Sequence, residues 1–492
     1  MDDSTSGVSQ RQGSTTDHIL TTASGQLPYR ASAQWQLIYE QDQAIAELFH
    51  VAYRASDESS TNRPLTFVFN GGPGAASAYL HMGALGPKRV SFNADGSLPK
   101  PPVRIVDNPE SWLRFTDLVF IDPLGTGFSR SLSKSTEKTG EPSAEKGKET
   151  KPEQKFWEVD RDLTTLGQFI QGYLSAHNRW LSPIFIAGES YGGFRVAKLT
   201  RKLQQEFGVG LCGAILISPV MEFELLSGTD YTLTGWATAL PSMAATAAHH
   251  GRVGPGSPES YGARAESFAR QTLIPFLALG ETASEVDRQR AYQGLADLTG
   301  LSLDVVQRHR GRLDISIFAR ELLRDQQRIL GIYDASVTAI DPFPDRLSSE
   351  GCDPTLEGID RLFSGAINSH LRDTLGVKTP LTYHLLNFEV FKAWSFPPEG
   401  DFKQGFVGAV DDLRMGMSLN PHMQVAINHG LFDLVTPYFS SNFLVDLMAL
   451  NPELRPNLSL DHFQGGHMFY TWEQSRQQWL AKMETFYQSA LG

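Results

Sequence analysis

A chain of 492 residues, 41% hydrophobic and 20% charged, has the composition of an ordinary globular protein with enough length for a sizeable core. No apolar run approaches the roughly 20 residues of a membrane span, and the formal net charge of -12 argues against nucleic acid or an anionic membrane as partner, since both need a basic face. Cys212 and Cys352 stand alone, which indicates neither a disulfide framework nor a cysteine-ligated metal. The first residues carry acid where a secretory leader carries base, so a cytosolic address is expected by default.

Residues 1–30 are rich in Ser, Thr, Gln and Gly with little to bury, which predicts a flexible N-terminal tail. Trp35 to Tyr39 and Ile45 to Tyr53 follow as two strands around a polar turn. Leu65 to Phe69 is a continuous apolar strand that ends in Asn70-Gly71-Gly72-Pro73-Gly74, a turn able to present bare backbone N–H groups. Asp117 to Asp122 reads as another buried strand, and the polar stretch Ser131 to Lys155 as an exposed, flexible loop. Phe156 to Tyr173 repeats apolar residues at helical spacing and leads to the strand Ile184 to Ala187, after which Leu211 to Ile217 adds another.

This alternation predicts an α/β fold, a mostly parallel central sheet with helices on both faces. Residues 31–220 form the first part of that core. Over 221–372 strand runs give way to helical patterns, which predicts an inserted helical cap. Residues 373–492 return to the core, with strands Met423 to Asn428 and Leu458 to Phe463 and a terminal helix from Trp472 to Ala490.

The chemistry gathers at strand ends. Gly188-Glu189-Ser190-Tyr191-Gly192 stands between a buried strand and a helical pattern, the context of a nucleophile elbow, where Ser190 projects from a sharp turn and its flanking glycines avoid collision. A serine hydroxyl needs a histidine base and a carboxylate to orient that histidine, in the chain order serine, acid, histidine. Asp433 follows the returning strand and His467 sits behind Gly465 and Gly466 before the final helix, so they are the candidate acid and base. His429, His462, Asp122 and Asp461 are weaker rivals. The oxyanion donors would be the backbone N–H groups of Tyr191 and Gly72.

With these pieces placed, the chain resembles the serine carboxypeptidase family. The blocks that carry the resemblance are Asn70 to Gly74 with Leu85-Gly86-Pro87, Asn108-Pro109 with Ser111-Trp112, Ile121-Asp122-Pro123 with Gly125 to Ser129, Gly188 to Gly193, Gly430 to Asp433, and Gly466-His467-Met468. The resemblance implies an α/β-hydrolase fold with a helical insertion, a Ser190, Asp433, His467 triad, and release of C-terminal residues from peptides. It also implies that Asn70, Gly71 and a protonated Glu189 hold the substrate's terminal carboxylate, and that Met468 helps form the leaving-residue pocket. Ala75 and Ala84 depart from the family pattern, which has a cysteine and a glutamate there, and point to a cysteine-poor, bacterial-type branch. Trp236, Met243 and Phe318 are candidate pocket residues from the cap. The same triad could serve an esterase or acyltransferase, and a silent binding protein is the third reading. No metal, nucleotide or prosthetic-group motif stands out, so no cofactor is expected. A peptide is the expected partner, with oligomeric state left open, a homodimer included.

Overall fold

The computed structural model describes residues 11–22, 24–56, 62–132, 152–226, 228–346, 353–396 and 407–492. Among them, one sheet has ten strands, nine along its main path: β1 (Ser14–Thr22), β2 (Gly25–Glu40), β3 (Gln43–Ala55), β4 (Leu65–Phe69), β5 (Asp117–Ile121), β6 (Ile184–Glu189), β7 (Gly213–Ile217), β8 (Gln424–Gly430) and β9 (Leu458–Phe463), with the short strand Arg130–Ser131 paired beside β3. Their spatial order is β1-β2-β3-β5-β4-β6-β7-β8-β9. β1, β2, β3 and β5 pair antiparallel, and every pair from β5 through β4, β6, β7 and β8 to β9 is parallel. This is the α/β-hydrolase arrangement, a mostly parallel sheet with helices around it.

The central strands are apolar throughout because both of their faces are covered. Phe185 of β6 packs on one side with Ile215, Phe120 and Tyr487, while its neighbours Ile184 and Ile186 pack on the other with Leu163, Phe169 and Val196. Helices α1 (Val159–Ala176) and α2 (Tyr191–Glu206) cover that second face, and the terminal helix (Glu473–Leu491) covers the first with Trp479, Met483 and Tyr487.

The expected tail is the main correction. Residues 14–30 form β1 and the start of β2, paired from Ser14 with Ala33 to Thr22 with Gly25. An edge strand with one face in water needs apolar residues only at alternate positions, so a Ser- and Thr-rich stretch can meet the requirement, and Leu20 and Tyr29 are buried. Residues 1–10, most of the polar stretch 131–155, and Cys352 lie outside the described residues.

The insertion is helical, with α3 (Leu240–His249), α4 (Pro258–Phe268) and α5 (Glu285–Thr299) around a hydrophobic centre of their own. It ends in a small hairpin, Arg328–Leu330 paired with Thr338–Ile340. Helix α6 (Leu356–Ser369) was expected within the cap, but its stripe of Ile359, Leu362, Phe363, Ala366 and Ile367 packs into the sheet-face core beside Phe120 and Tyr470. Among the described residues no helix is long and apolar enough to cross a membrane.

Candidate active site

Four strand ends bring the candidate residues together, at the carboxyl edge of the sheet where open α/β folds keep their sites. Asn70 follows β4, Ser190 follows β6, Asp433 follows β8 and His467 follows β9. Asn70, Gly71, Gly72, Glu189, Ser190, Tyr191, His467 and Met468 all line one cavity of about 430 Å³. Asp433 is fully buried behind His467.

Ser190 holds φ 62 and ψ -123, a conformation that side chains rarely adopt, at the start of α2. Its N–H donates to the Ile217 carbonyl at 2.9 Å and its carbonyl accepts from Gly193 N at the same distance, so neighbouring backbone fixes the turn. A Cβ on Gly188 would stand 2.2 Å from the Gly192 carbonyl oxygen, and one on Gly192 2.6 Å from the Phe69 carbonyl oxygen, so the elbow carries glycine at both places.

His467 Nδ1 lies 2.8 Å from Asp433 Oδ2. The other oxygen of Asp433 accepts the backbone N–H groups of Val435 at 2.8 Å and Thr436 at 2.9 Å, so its carboxylate cannot turn. The Thr436 hydroxyl lies 2.7 Å from Asp433 Oδ2 and 3.0 Å from His467 Nδ1, closing the group from a third side. Burial alone would push the His467 imidazole down, but the Asp433 charge and hydrogen bond, with the Glu189 charge behind them, outweigh it and raise its pKa. This pairing commits Nδ1 to Asp433 and leaves Nε2 on the far side of the ring.

Beside this group, Asn70 Nδ2 donates to Glu189 Oε2, and the Tyr470 hydroxyl donates to Glu189 Oε1 at 2.9 Å. Asn70 Oδ1 is held by the Leu80 N–H at 3.0 Å. Burial drives the Glu189 carboxyl up to about 7, although His467, Tyr470 and Asn70 each pull it back. Arg195, buried and paired with Asp162 at 2.7 Å, donates to the Asn70 carbonyl at 2.6 Å and so pins the glycine turn against the elbow. Gly72 has φ +98 there.

The rivals lie elsewhere. His429 is buried against the Ser441 hydroxyl at 2.7 Å, His462 meets Asn442, Asp461 pairs with Lys482, and Asp122 receives Ser77 N–H and the Tyr383 hydroxyl. The cap candidates also fall away from the cavity. Met243 and Phe318 fill the cap's own centre, and Trp236 packs beside it with its indole N–H on the Thr229 carbonyl, because a helical insertion must first bury its own apolar stripes. Val220, Phe223, Leu226, Leu386, Phe391 and Phe396 form the apolar wall instead. Met468 both lines the cavity and packs in the core.

Tyr470, Thr436, Arg195 and Tyr333 were not legible as site residues. Thr436 had a local signal, since an aspartate three residues before a threonine sets up a turn in which both side chains bond. Tyr470 lies one turn past His467, and Tyr333 comes from the distant cap hairpin.

Gly466 has no room for a side chain: a Cβ would stand 2.1 Å from the Tyr333 carbonyl oxygen and 2.3 Å from Asp334 Cα. Gly466→Ala must therefore push the histidine loop outward, and a displacement near 1 Å costs on the order of 100-fold in rate. Labelling of Ser190 by a fluorophosphonate probe should slow by that factor, and an unchanged rate would show that the loop absorbs the methyl group.

Residues 28–223 match the family model described as serine carboxypeptidase. Serine carboxypeptidase-like 8 of Arabidopsis thaliana is 30% identical over 189 residues, which are 36% of this chain and 38% of that protein. A pheromone-processing carboxypeptidase of Yarrowia lipolytica is 31% identical over 166 residues, 32% of this chain and 22% of its own. The chain thus spans well under half the length of these relatives. The matched region holds Asn70, Glu189 and Ser190 but neither Asp433 nor His467, so the acid and base rest on their geometry. A solved proline iminopeptidase from Mycobacterium smegmatis superposes over 93% of this chain and 99% of its own at 14% identity and a TM-score of 0.38, too loose a likeness to argue from.

Proposed function

From the match of residues 28–223 to the serine carboxypeptidase family model, we propose that this chain is a serine carboxypeptidase releasing C-terminal residues from peptides. Ser190 Oγ attacks the last peptide carbonyl while His467 Nε2 takes its proton. The N–H groups of Gly72 and Tyr191 receive the oxyanion, and His467 then hands the proton to the leaving amine. Water, activated by the same histidine, releases the acyl group from Ser190. The leaving residue lies on the His467 and Met468 side, because the proton must reach its nitrogen. The acyl residue faces the apolar wall of Val220, Phe223 and Leu226.

The observation that carries the reading is the coupled pair Asn70 and Glu189 beside Ser190. A triad alone serves any acyl transfer, whereas a buried, readily protonated carboxyl joined to an amide suits a free terminal carboxylate, which can share the proton. The Tyr470 hydroxyl occupies Glu189's other oxygen. Ala84, at the family's usual glutamate position, is buried in the core away from the cavity lining.

The pH dependence follows from the signs. Glu189 is protonated below about 7, so turnover of free-acid peptides should fall as pH rises through that value. His467 must be neutral to act as base and its pKa is raised, so ester turnover should climb as pH rises and the imidazole loses its proton. Glu189→Gln keeps an uncharged group but sets its amide against the Asn70 amide, and one such lost hydrogen bond is worth about 1.5 kcal/mol, or roughly 10-fold. Free-acid peptide cleavage at pH 5.5 should drop by that factor with its descending limb abolished, while ester cleavage changes much less. Equal losses on both substrates would count against carboxylate recognition.

A further inference from the structure

The turn 331–337 of the cap's terminal hairpin reaches into both the acid and the base loop. Leu434 N donates to the Ile332 carbonyl at 3.1 Å, and Ala335 N to the Phe432 carbonyl at 3.0 Å, so the acid loop is tied to this turn on both sides of Asp433. His467 N donates to the Tyr333 carbonyl at 2.5 Å, and the Tyr333 ring stands edge-on to the His467 ring with centroids 5.3 Å apart. The turn therefore runs between the two loops and bonds both.

Asp334 stands at its centre, 7% exposed. Its Oδ1 accepts from Ser336 N at 3.0 Å and from the Ser336 hydroxyl at 2.5 Å, which shapes the turn. Its Oδ2 accepts the Trp472 indole N–H at 3.2 Å, at the entry to the terminal helix. Gly466, next to the histidine, packs directly against this residue: a Cβ there would stand 2.3 Å from Asp334 Cα and 2.5 Å from its Cβ. A single buried side chain thus joins the cap turn, the histidine loop and the last helix.

We propose that Asp334 is a positioning residue for His467, clamping the histidine loop to the cap turn so that the base keeps its place against Asp433. This rests on reading Ser190, Asp433 and His467 as a triad, and not on a peptide as the substrate. A carboxylate suits the post because every group around it is a donor. An asparagine of the same shape must turn its own NH2 toward one of them. The cap is then part of the catalytic frame, and the cap cannot shift without moving the base.

Burial raises the Asp334 carboxyl to about 6, against the pull of its hydrogen bonds. The clamp is thus at full strength above that value and weakens as the proton returns below it. The titratable groups facing it are His250, whose ring bonds the Ala335 carbonyl at 2.8 Å, His249 against the Trp472 ring, Tyr333 on its own turn, and His467. Wild type and variant share all of these, so the ratio of their rates isolates Asp334.

The test is the rate of fluorophosphonate labelling at Ser190 from pH 5 to 8 in wild type, Asp334→Asn and Trp472→Phe. At pH 8 Asp334→Asn should label about 10-fold more slowly, as expected for a base displaced by a fraction of an ångström, and the ratio should shrink toward unity at pH 5. Trp472→Phe, which removes one donor and keeps the ring, should slow labelling by a smaller factor and supplies the answer if Asp334→Asn does not fold. Equal rates for both variants and wild type would overturn the assignment, and so would a deficit independent of pH, which marks a merely structural carboxylate. Failure of the wild type to label at Ser190 would instead overturn the triad itself.

Discussion

Replacing Ser190 by alanine is expected to remove fluorophosphonate labelling completely and to lower hydrolysis by about 10⁴-fold or more. The backbone around Ser190 keeps it at φ 62 whatever its side chain, because Ile217 and Gly193 hold the peptide groups on either side. Alanine therefore preserves the turn while removing the proposed nucleophile. The cavity and the proposed oxyanion and carboxylate sites all persist, so substrate should still bind with little change in affinity. A labelled peptide from any other serine, mapped by mass spectrometry, would displace Ser190 as the nucleophile.

Asp433→Asn should be nearly as costly, on the order of 10⁴-fold in kcat. Both oxygens of Asp433 face donors: backbone N–H groups at 2.8 and 2.9 Å on one, His467 Nδ1 and the Thr436 hydroxyl at 2.8 and 2.7 Å on the other. An amide has only one oxygen. The two backbone donors will claim it, which turns the NH2 toward His467 and forces the imidazole to carry its proton on Nε2. That tautomer cannot accept the serine proton. The loss should appear in kcat with KM nearly constant, and should ease at high pH as other bases take over. A loss confined to KM would mean that Asp433 shapes the binding site and leaves the base unaffected.

The parts of the site that could be read from sequence are those with a local signature. Gly188 is demanded by a contact four residues away, whereas Gly192 is demanded by the Phe69 carbonyl oxygen, which a Cβ there would meet at 2.6 Å; both mark the elbow. The constraint on Gly466 comes from the cap turn more than 130 residues earlier, and the sequence signalled only that the histidine loop needed small residues. The strand Leu65–Phe69 matches its expected bounds because a fully buried parallel strand reads as a nearly unbroken apolar run, whereas the edge strand Leu458–Phe463 was legible through Leu458 and Leu460 alternating with polar residues. β1 was hidden by its polar alternation at the sheet edge. The pocket wall was hidden for another reason. Phe223, Phe391 and Phe396 are scattered over segments that look like loops, and only the folded chain shows that they face Ser190. Met243 and Phe318 looked equally apolar, yet they fill the interior of the cap.

Tyr470 illustrates the same limit within the catalytic centre. Its hydroxyl reaches Glu189 across 281 positions of sequence, and nothing local distinguishes it from a core aromatic. It also affects the acidic behaviour of the site. A donor on one carboxyl oxygen favours the ionised form, so Tyr470 limits how far burial can raise Glu189.

The central claim is that the Asn70 and Glu189 pair turns a general serine hydrolase site into one that reads a chain end. The direct measurement is a mass-spectrometric time course on one blocked peptide, offered as the free C-terminal acid and as its amide, from pH 4 to 8. Stepwise loss of terminal residues from the acid, with the amide much slower and the preference fading above about pH 7 as Glu189 ionises, is the result this account predicts. Cleavage of neither form while Ser190 still reacts with the fluorophosphonate, or equal cleavage of both at every pH, would contradict it.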